Sequence, residues 1–132
     1  MEEYIKDYDD WNERAKALNS KDFEGYYHER EIWWCALGIN IGSEEDGKNE
    51  QFERPVIIFR KFGEETLWII PLSSKPNQND SRVLYSFTVN ESMQTAKLSQ
   101  LRLISDRRLL RYMATISYED FQNLRKLLAS CM

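Results

Sequence analysis

Four positions in this chain carry groups suited to handling a phosphate. Arg54 stands immediately before Pro55 at the head of an apolar run, Ser73 and Ser74 follow another such run, and Arg102 lies two residues beyond Gln100. Arginine offers five N–H donors in a rigid fork that fits phosphate oxygens in pairs, and a serine hydroxyl can both donate and accept. Taken singly, each is also an ordinary feature of strands and turns. Other chemistries lack material. The only histidine, His28, lies in an aromatic stretch, so two-histidine ribonuclease chemistry and His-based triads are excluded, and His28 is read as a surface or packing residue. Motifs of the H-E-x-x-H, G-x-S-x-G, Walker A and G-x-G-x-x-G types do not occur. Glu44, Glu45 and Asp46 could offer carboxylates to a metal, but a solvated acidic loop is the favoured reading, and neither a metal nor another cofactor is expected. Cys35 and Cys131, the only cysteines, make no disulfide framework and suit a reducing cytoplasm.

Those residues must be held by a scaffold, and the composition allows one. A chain of 132 residues with 42% hydrophobic and 30% charged content reads as one globular domain. No apolar run approaches the roughly 18 to 20 residues of a membrane span, and the acidic opening Met1-Glu2-Glu3 is unlike a signal peptide, so no membrane association is expected. The net charge of −4 conceals a strong asymmetry: residues 1–53 carry −9, residues 54–111 carry +5, and the remainder is neutral. Surface potential follows local charge over about 10 Å in ordinary salt, so the basic middle of the chain can attract a polyanion.

Tyr4, Tyr8, Trp11, Ala15 and Leu18 recur every three or four residues and predict an amphipathic helix over residues 2–18. An aromatic connector follows to Arg30. Short β-rich runs then appear at Glu31–Leu37, Arg54–Phe59, Thr66–Ile70, Val83–Val89, Gln94–Leu98 and Leu101–Ile104. Gly63-Glu64-Glu65 and Asn90-Glu91-Ser92 are read as hairpin turns, and the long polar stretch Gly38–Glu53 as a functional loop. Asp106 can cap a helical turn through Arg111, Tyr112–Ile116 can add a last strand, and Ser117 with Asp120 opens a C-terminal helix stapled by Ile116 and Phe121. The result is a small, strongly bent β-sheet or barrel with a helix at each end, mainly β in class.

With these parts in order, the chain resembles the PemK/MazF family of toxins from bacterial toxin–antitoxin modules. The resemblance runs through R-E-I-W-W-C-A-L-G (30–38), I-G-S-E-E-D-G (41–47), R-P-V-I-I (54–58), P-L-S-S-K (71–75) and L-S-Q-L-R-L-I-S-D-R-R-L (98–109). It implies an SH3-like bent barrel over 29–132, with residues 1–28 as an added helix and connector. It also implies a cytoplasmic homodimer with a cognate antitoxin partner, cleaving single-stranded RNA or mRNA without metal. On this resemblance Arg54, Ser73 and Glu44 fall on catalytic positions. Ser74, Lys75, Gln100 and Arg102 are expected to contact RNA, with Phe52, Phe87, Trp33 or Trp34 as surfaces for unstacked bases.

Such cleavage uses the RNA's own 2′-hydroxyl and leaves a 2′,3′-cyclic phosphate and a 5′-hydroxyl end. Arg54 would stabilise charge on the phosphate and Ser73 would position it. Two alternatives share the barrel: a non-enzymatic DNA gyrase inhibitor of the CcdB type, and an inactive barrel that only binds a partner. Arg54 with Ser73 favours the nuclease, because a gyrase poison needs no phosphate-reactive pair. The acidic N-terminal helix is expected to extend the core, or alternatively to lower RNA affinity by lying near the groove.

Overall fold

The computed structural model describes residues 5–23, 25–38, 40, 46–47, 52–74 and 83–132. Helix α1 (Tyr8–Asn19) precedes strands β1 (Glu31–Ala36), β2 (Glu53–Lys61), β3 (Thr66–Ser73), β4 (Leu84–Val89), β5 (Ser92–Lys97), β6 (Arg102–Ser105) and β7 (Leu109–Thr115). Helix α2 (Tyr118–Ser130) closes the chain, and 3₁₀ turns at Leu98–Gln100 and Asp106–Arg108 flank β6.

All pairings are antiparallel, and the strands run in the order β4-β5-β3-β2-β1-β7. Beyond that order, β6 joins β3. One edge of β3 is thus shared: Thr66–Ile69 pair with β6, and Leu72–Ser73 pair with β5. Among the described residues the ladder does not close on itself, so the architecture is a bent mainly β sheet with terminal helices.

Two apolar clusters lie on opposite faces, as the period-2 alternation of strands requires. Cys35, Val56, Ile58, Leu67, Ile69, Ile104 and Leu109 form the first, with Tyr27 and Trp33. Ile32, Ile57, Ile70, Leu72, Phe87, Ala96 and Leu98 form the second, roofed by Phe121 and Leu124 of α2. The α2 start follows the capping chemistry read from sequence. Ser117 Oγ accepts from Asp120 N–H at 3.0 Å, and Ile116 and Phe121 are both buried in the second cluster.

Several boundaries differ from the sequence reading, each for a local reason. Helix α1 begins at Tyr8, with residues 5–7 outside it, because the Asp7 carboxylate caps it by accepting from Asp10 N–H at 3.1 Å; residues 2–4 of the expected helix lie outside the described residues. The Asp106 turn stops at Arg108, because the apolar Leu109 is drawn into the first cluster as the start of β7. In the β2–β3 turn the left-handed residues are Glu64 and Glu65 (φ 50° and 69°), not Gly63; the β4–β5 turn uses Asn90 and Glu91 in the same way. Tight hairpins favour two consecutive left-handed residues because that twist matches the strands.

Helix α1 packs onto the end of β1. Gly38 has φ +77°, and a Cβ there would lie 2.0 Å from the Trp11 ring. Gly38→Ala should therefore combine left-handed strain with overpacking and destabilise the protein by about 2–4 kcal/mol, measured by urea unfolding. An unchanged midpoint would show that Trp11 does not sit on Gly38.

Candidate active site

Strand register assembles the site. Arg54 pairs with Cys35 of β1. The β2–β3 ladder ends with Val56 opposite Pro71, and Arg54 and Ser73, two residues further on each strand, project on the face of that pair beside its end. Ser73 also pairs with Thr95 of β5. Directly opposed residues share a face, so Cys35, Arg54, Ser73 and Thr95 belong to the face of the first cluster. Lys97 lies two residues beyond Thr95, and Arg102 lies opposite Ile69, which places both on this face as well. Arg54 and Lys97 thus lie near the end of β3, with Arg102 further along the same face.

Arg54 is only 8% exposed, and a buried cation must be held by hydrogen bonds. Its Nε donates to the Asp46 carbonyl at 2.9 Å and its Nη1 to the Leu72 carbonyl at 3.2 Å. Both anchors are main-chain atoms, so the loop and strand backbones set the guanidinium's place. The loop carbonyl is itself braced. Asp46 Oδ1 accepts from Asn40 N–H at 2.6 Å, Gly47 N–H donates to the Gly38 carbonyl at 2.7 Å, and Gly38 N–H donates to the Phe52 carbonyl at 3.1 Å. A Cβ on Gly47 would overlap the Phe52 carbonyl, which restricts this position to glycine.

The carboxylates flanking Arg54 in sequence are engaged by other cations. Glu53, buried, accepts from Arg111 Nη1 at 3.0 Å and Nη2 at 2.7 Å, and Asp46 pairs with Lys6 at 3.3 Å. A further guanidinium, Arg108, lies at the end of β1: its Nη1 donates to the carbonyls of Ala36 (3.1 Å) and Leu37 (3.3 Å) while its Cζ lies 5.6 Å from the Trp11 ring centre. Burial, and then the like charge of Arg102, push the Arg108 pKa down. Burial pushes the Cys35 thiol up to about 12 against the opposing pull of Arg108 and Arg102, so it is a neutral packing group and no nucleophile at physiological pH. Preorganised cations beside a hydroxyl suit the stabilisation of charge developing on a phosphate.

Of the residues singled out from sequence, Arg54, Ser73 and Arg102 come together on one face. Ser74 is exposed just past β3, and Gln100 is half-buried in the turn before β6. Glu44 and Lys75 lie outside the described residues. Phe52 does not present a stacking surface: it is 8% exposed, and its ring meets Trp11 edge-on at 5.7 Å, because the loop turns inward there with φ 55°. Trp33 and Phe87 are likewise core residues, and Trp34 is covered by Arg111 at 4.8 Å. His28 is exposed and held by Glu31, in keeping with a surface role.

The sequence reading did not single out Arg108 or Lys97. The D-R-R-L run hinted at Arg108 only as part of a turn, and nothing marked Lys97 as buried. Among the described residues, no group of three or more His, Cys, Asp or Glu side chains is placed to hold a metal, and no helix is long and apolar enough to cross a membrane.

Comparison with known proteins shows the family and the fold. The family model of PemK-like, MazF-like toxins of type II toxin–antitoxin systems matches residues 28–132, which leaves α1 outside the match. Among solved structures, the Mycobacterium tuberculosis toxin MazF-mt6 is similar with a TM-score of 0.53 at 12% identity, covering 76% of this chain and 94% of that one, a likeness of fold. No curated protein sequence matches the chain.

Proposed function

Because the chain belongs to the PemK-like, MazF-like family of type II toxins, we propose that it is an endoribonuclease that cleaves single-stranded RNA without a metal. The observation that carries this reading is a buried Arg54, anchored to the Asp46 and Leu72 carbonyls, on the same face and at the same end of the β2–β3 ladder as Ser73.

In the proposed reaction the RNA 2′-oxygen forms a bond to phosphorus and the bond from phosphorus to the 5′-oxygen breaks. The 2′-hydroxyl proton is released and the departing 5′-oxygen gains one, leaving a 2′,3′-cyclic phosphate and a 5′-hydroxyl end. Arg54 stabilises charge growing on the non-bridging oxygens. An arginine pKa above about 12 makes it an electrostatic group rather than an ordinary acid or base. Ser73 orients the phosphate, and holding the reactants in line is itself worth a large share of the barrier.

Arg102 and Arg108 raise the potential of the same face, and Gln100, Ser74 and Lys75 extend the RNA contacts. By the family resemblance Glu44 is assigned a catalytic role beside them. The antitoxin partner implied by the family shields this face, and a homodimer is the working assembly. RNA as substrate places the activity in the cytoplasm.

Purified protein incubated with mixed single-stranded RNA in EDTA should give fragments whose 5′ ends accept phosphate from a kinase without prior phosphatase treatment. Cleavage that stops in EDTA and returns with magnesium would refute the mechanism. Absence of cleavage in either buffer would favour the gyrase-inhibitor or inactive-barrel alternatives.

A further inference from the structure

The family match begins at residue 28, yet the segment before it touches the loop that holds Arg54 at several points. Lys6 Nζ donates to the Asn40 carbonyl at 2.5 Å and pairs with Asp46 Oδ2 at 3.3 Å. Tyr8 OH donates to the same Asn40 carbonyl at 3.1 Å. Trp11 lies against Gly38 and meets the Phe52 ring, and the Arg108 guanidinium lies over the Trp11 ring. Both ends of the loop are therefore gripped from outside the toxin core. Asp46 is the residue where the grip meets the site: its carboxylate takes Lys6 and its carbonyl takes Arg54.

We propose that Lys6 is a positioning residue, and that the segment Lys6–Trp11 is a strap that fixes the Asp46 carbonyl and through it the Arg54 guanidinium. The inference rests on Arg54 being the charge-stabilising group. The side chains of Lys6 and Asp46 are 20% and 11% exposed, so water screens this pair less than a surface pair. Two bonds from one ammonium to neighbouring loop residues also remove loop freedom that Arg54 would otherwise have to restrict. Preorganised sites depend on such supporting groups, and a displacement of about 1 Å at a reacting group can cost about 100-fold in rate.

The test uses the full-length chain with Lys6→Met, Lys6→Arg and Lys16→Met. Lys16 is an exposed α1 residue paired only with Glu13 in its own helix, so its replacement removes the same charge without touching the loop. Two readouts are taken: single-turnover cleavage kinetics, and water exchange of the Arg54 Nε–H by NMR. Lys6→Met should lower kcat about tenfold at unchanged KM and speed Arg54 Nε–H exchange by at least about tenfold. Lys6→Arg should restore at least about half of the lost kcat, and Lys16→Met should behave as wild type.

If Lys6→Met matches Lys16→Met in both readouts, the strap is overturned. A raised KM with kcat intact would also overturn it, since Lys6 would then be an RNA contact. If the wild-type protein cleaves no RNA, the nuclease reading fails on its own, and the Nε–H exchange still decides whether Lys6 positions Arg54.

Discussion

Arg54→Ala should lower RNA cleavage by about 100- to 1000-fold, the loss typical of removing one preorganised group from developing negative charge. The same substitution leaves the Asp46 and Leu72 carbonyls without their guanidinium donors. Unpaired buried acceptors cost about 1–3 kcal/mol each, so a lower melting midpoint is expected as well, and activity must be measured well below it. Arg54→Lys separates charge from geometry: it keeps a cation but not the fork that reaches two carbonyls at once, and should recover only a small part of the rate. Ser73→Ala should be the milder lesion and Ser73→Thr should keep most activity, because the hydroxyl survives. A dead Ser73→Thr would move the working hydroxyl to Ser74. An Arg54→Ala protein that cleaves at the wild-type rate, with its fold shown by melting, would remove Arg54 from the site.

The second large effect concerns alkaline pH. The Cys35 thiol, wholly buried, holds its proton to about 12 in the folded state against an ordinary value of 9.0. Between those values the unfolded chain has lost this proton and the folded chain has kept it. Stability from this group is therefore fully present below about pH 9 and falls as pH rises toward 12, by up to about 1.4 kcal/mol per pH unit. Tyr27, raised to about 12 by burial and by its neighbour Asp106, steepens the upper part of the same decline. Cys35→Ala removes the thiol's contribution. Urea midpoints at pH 8 should favour the wild type slightly, because the alanine leaves a small cavity, and at pH 11 the difference should shrink or reverse. Parallel pH profiles for the two proteins would show that the thiol does not resist ionisation in the fold.

The parts of the site that lie close to strand ends were legible from sequence, whereas the parts made by distant chain segments were not. Arg54 and Ser73 announce themselves by type and by their place beside apolar runs, and α2 by Ser117, Asp120 and the Ile116–Phe121 pair. The hairpin at Gly63-Glu64-Glu65 that brings Arg54 and Ser73 to one end of the ladder was legible too, but its register was not, because the left-handed pair is Glu64 and Glu65 rather than the glycine. Arg108 reads as one cation in a short run; only packing against Trp11, almost a hundred residues earlier, buries it. Phe52 was read as a stacking platform because aromatic type says nothing of direction, and the inward turn of the loop decides it. Lys6 sits in an acidic segment beside Glu2, Glu3 and Asp7, yet the fold pairs it with Asp46.

The anchors of Arg54 have a hereditary consequence. Asp46 and Leu72 meet its guanidinium through peptide oxygens, which every amino acid carries, so point mutations at Leu72 leave that anchor chemically present. A codon gained or lost within β3 is a different kind of event, because it shifts which peptide oxygen arrives beside the guanidinium. The lineage of this protein is thus free to vary the side chain at position 72 within packing limits but constrained in the length of that strand. Length, more than spelling, is what descent must preserve in that interval.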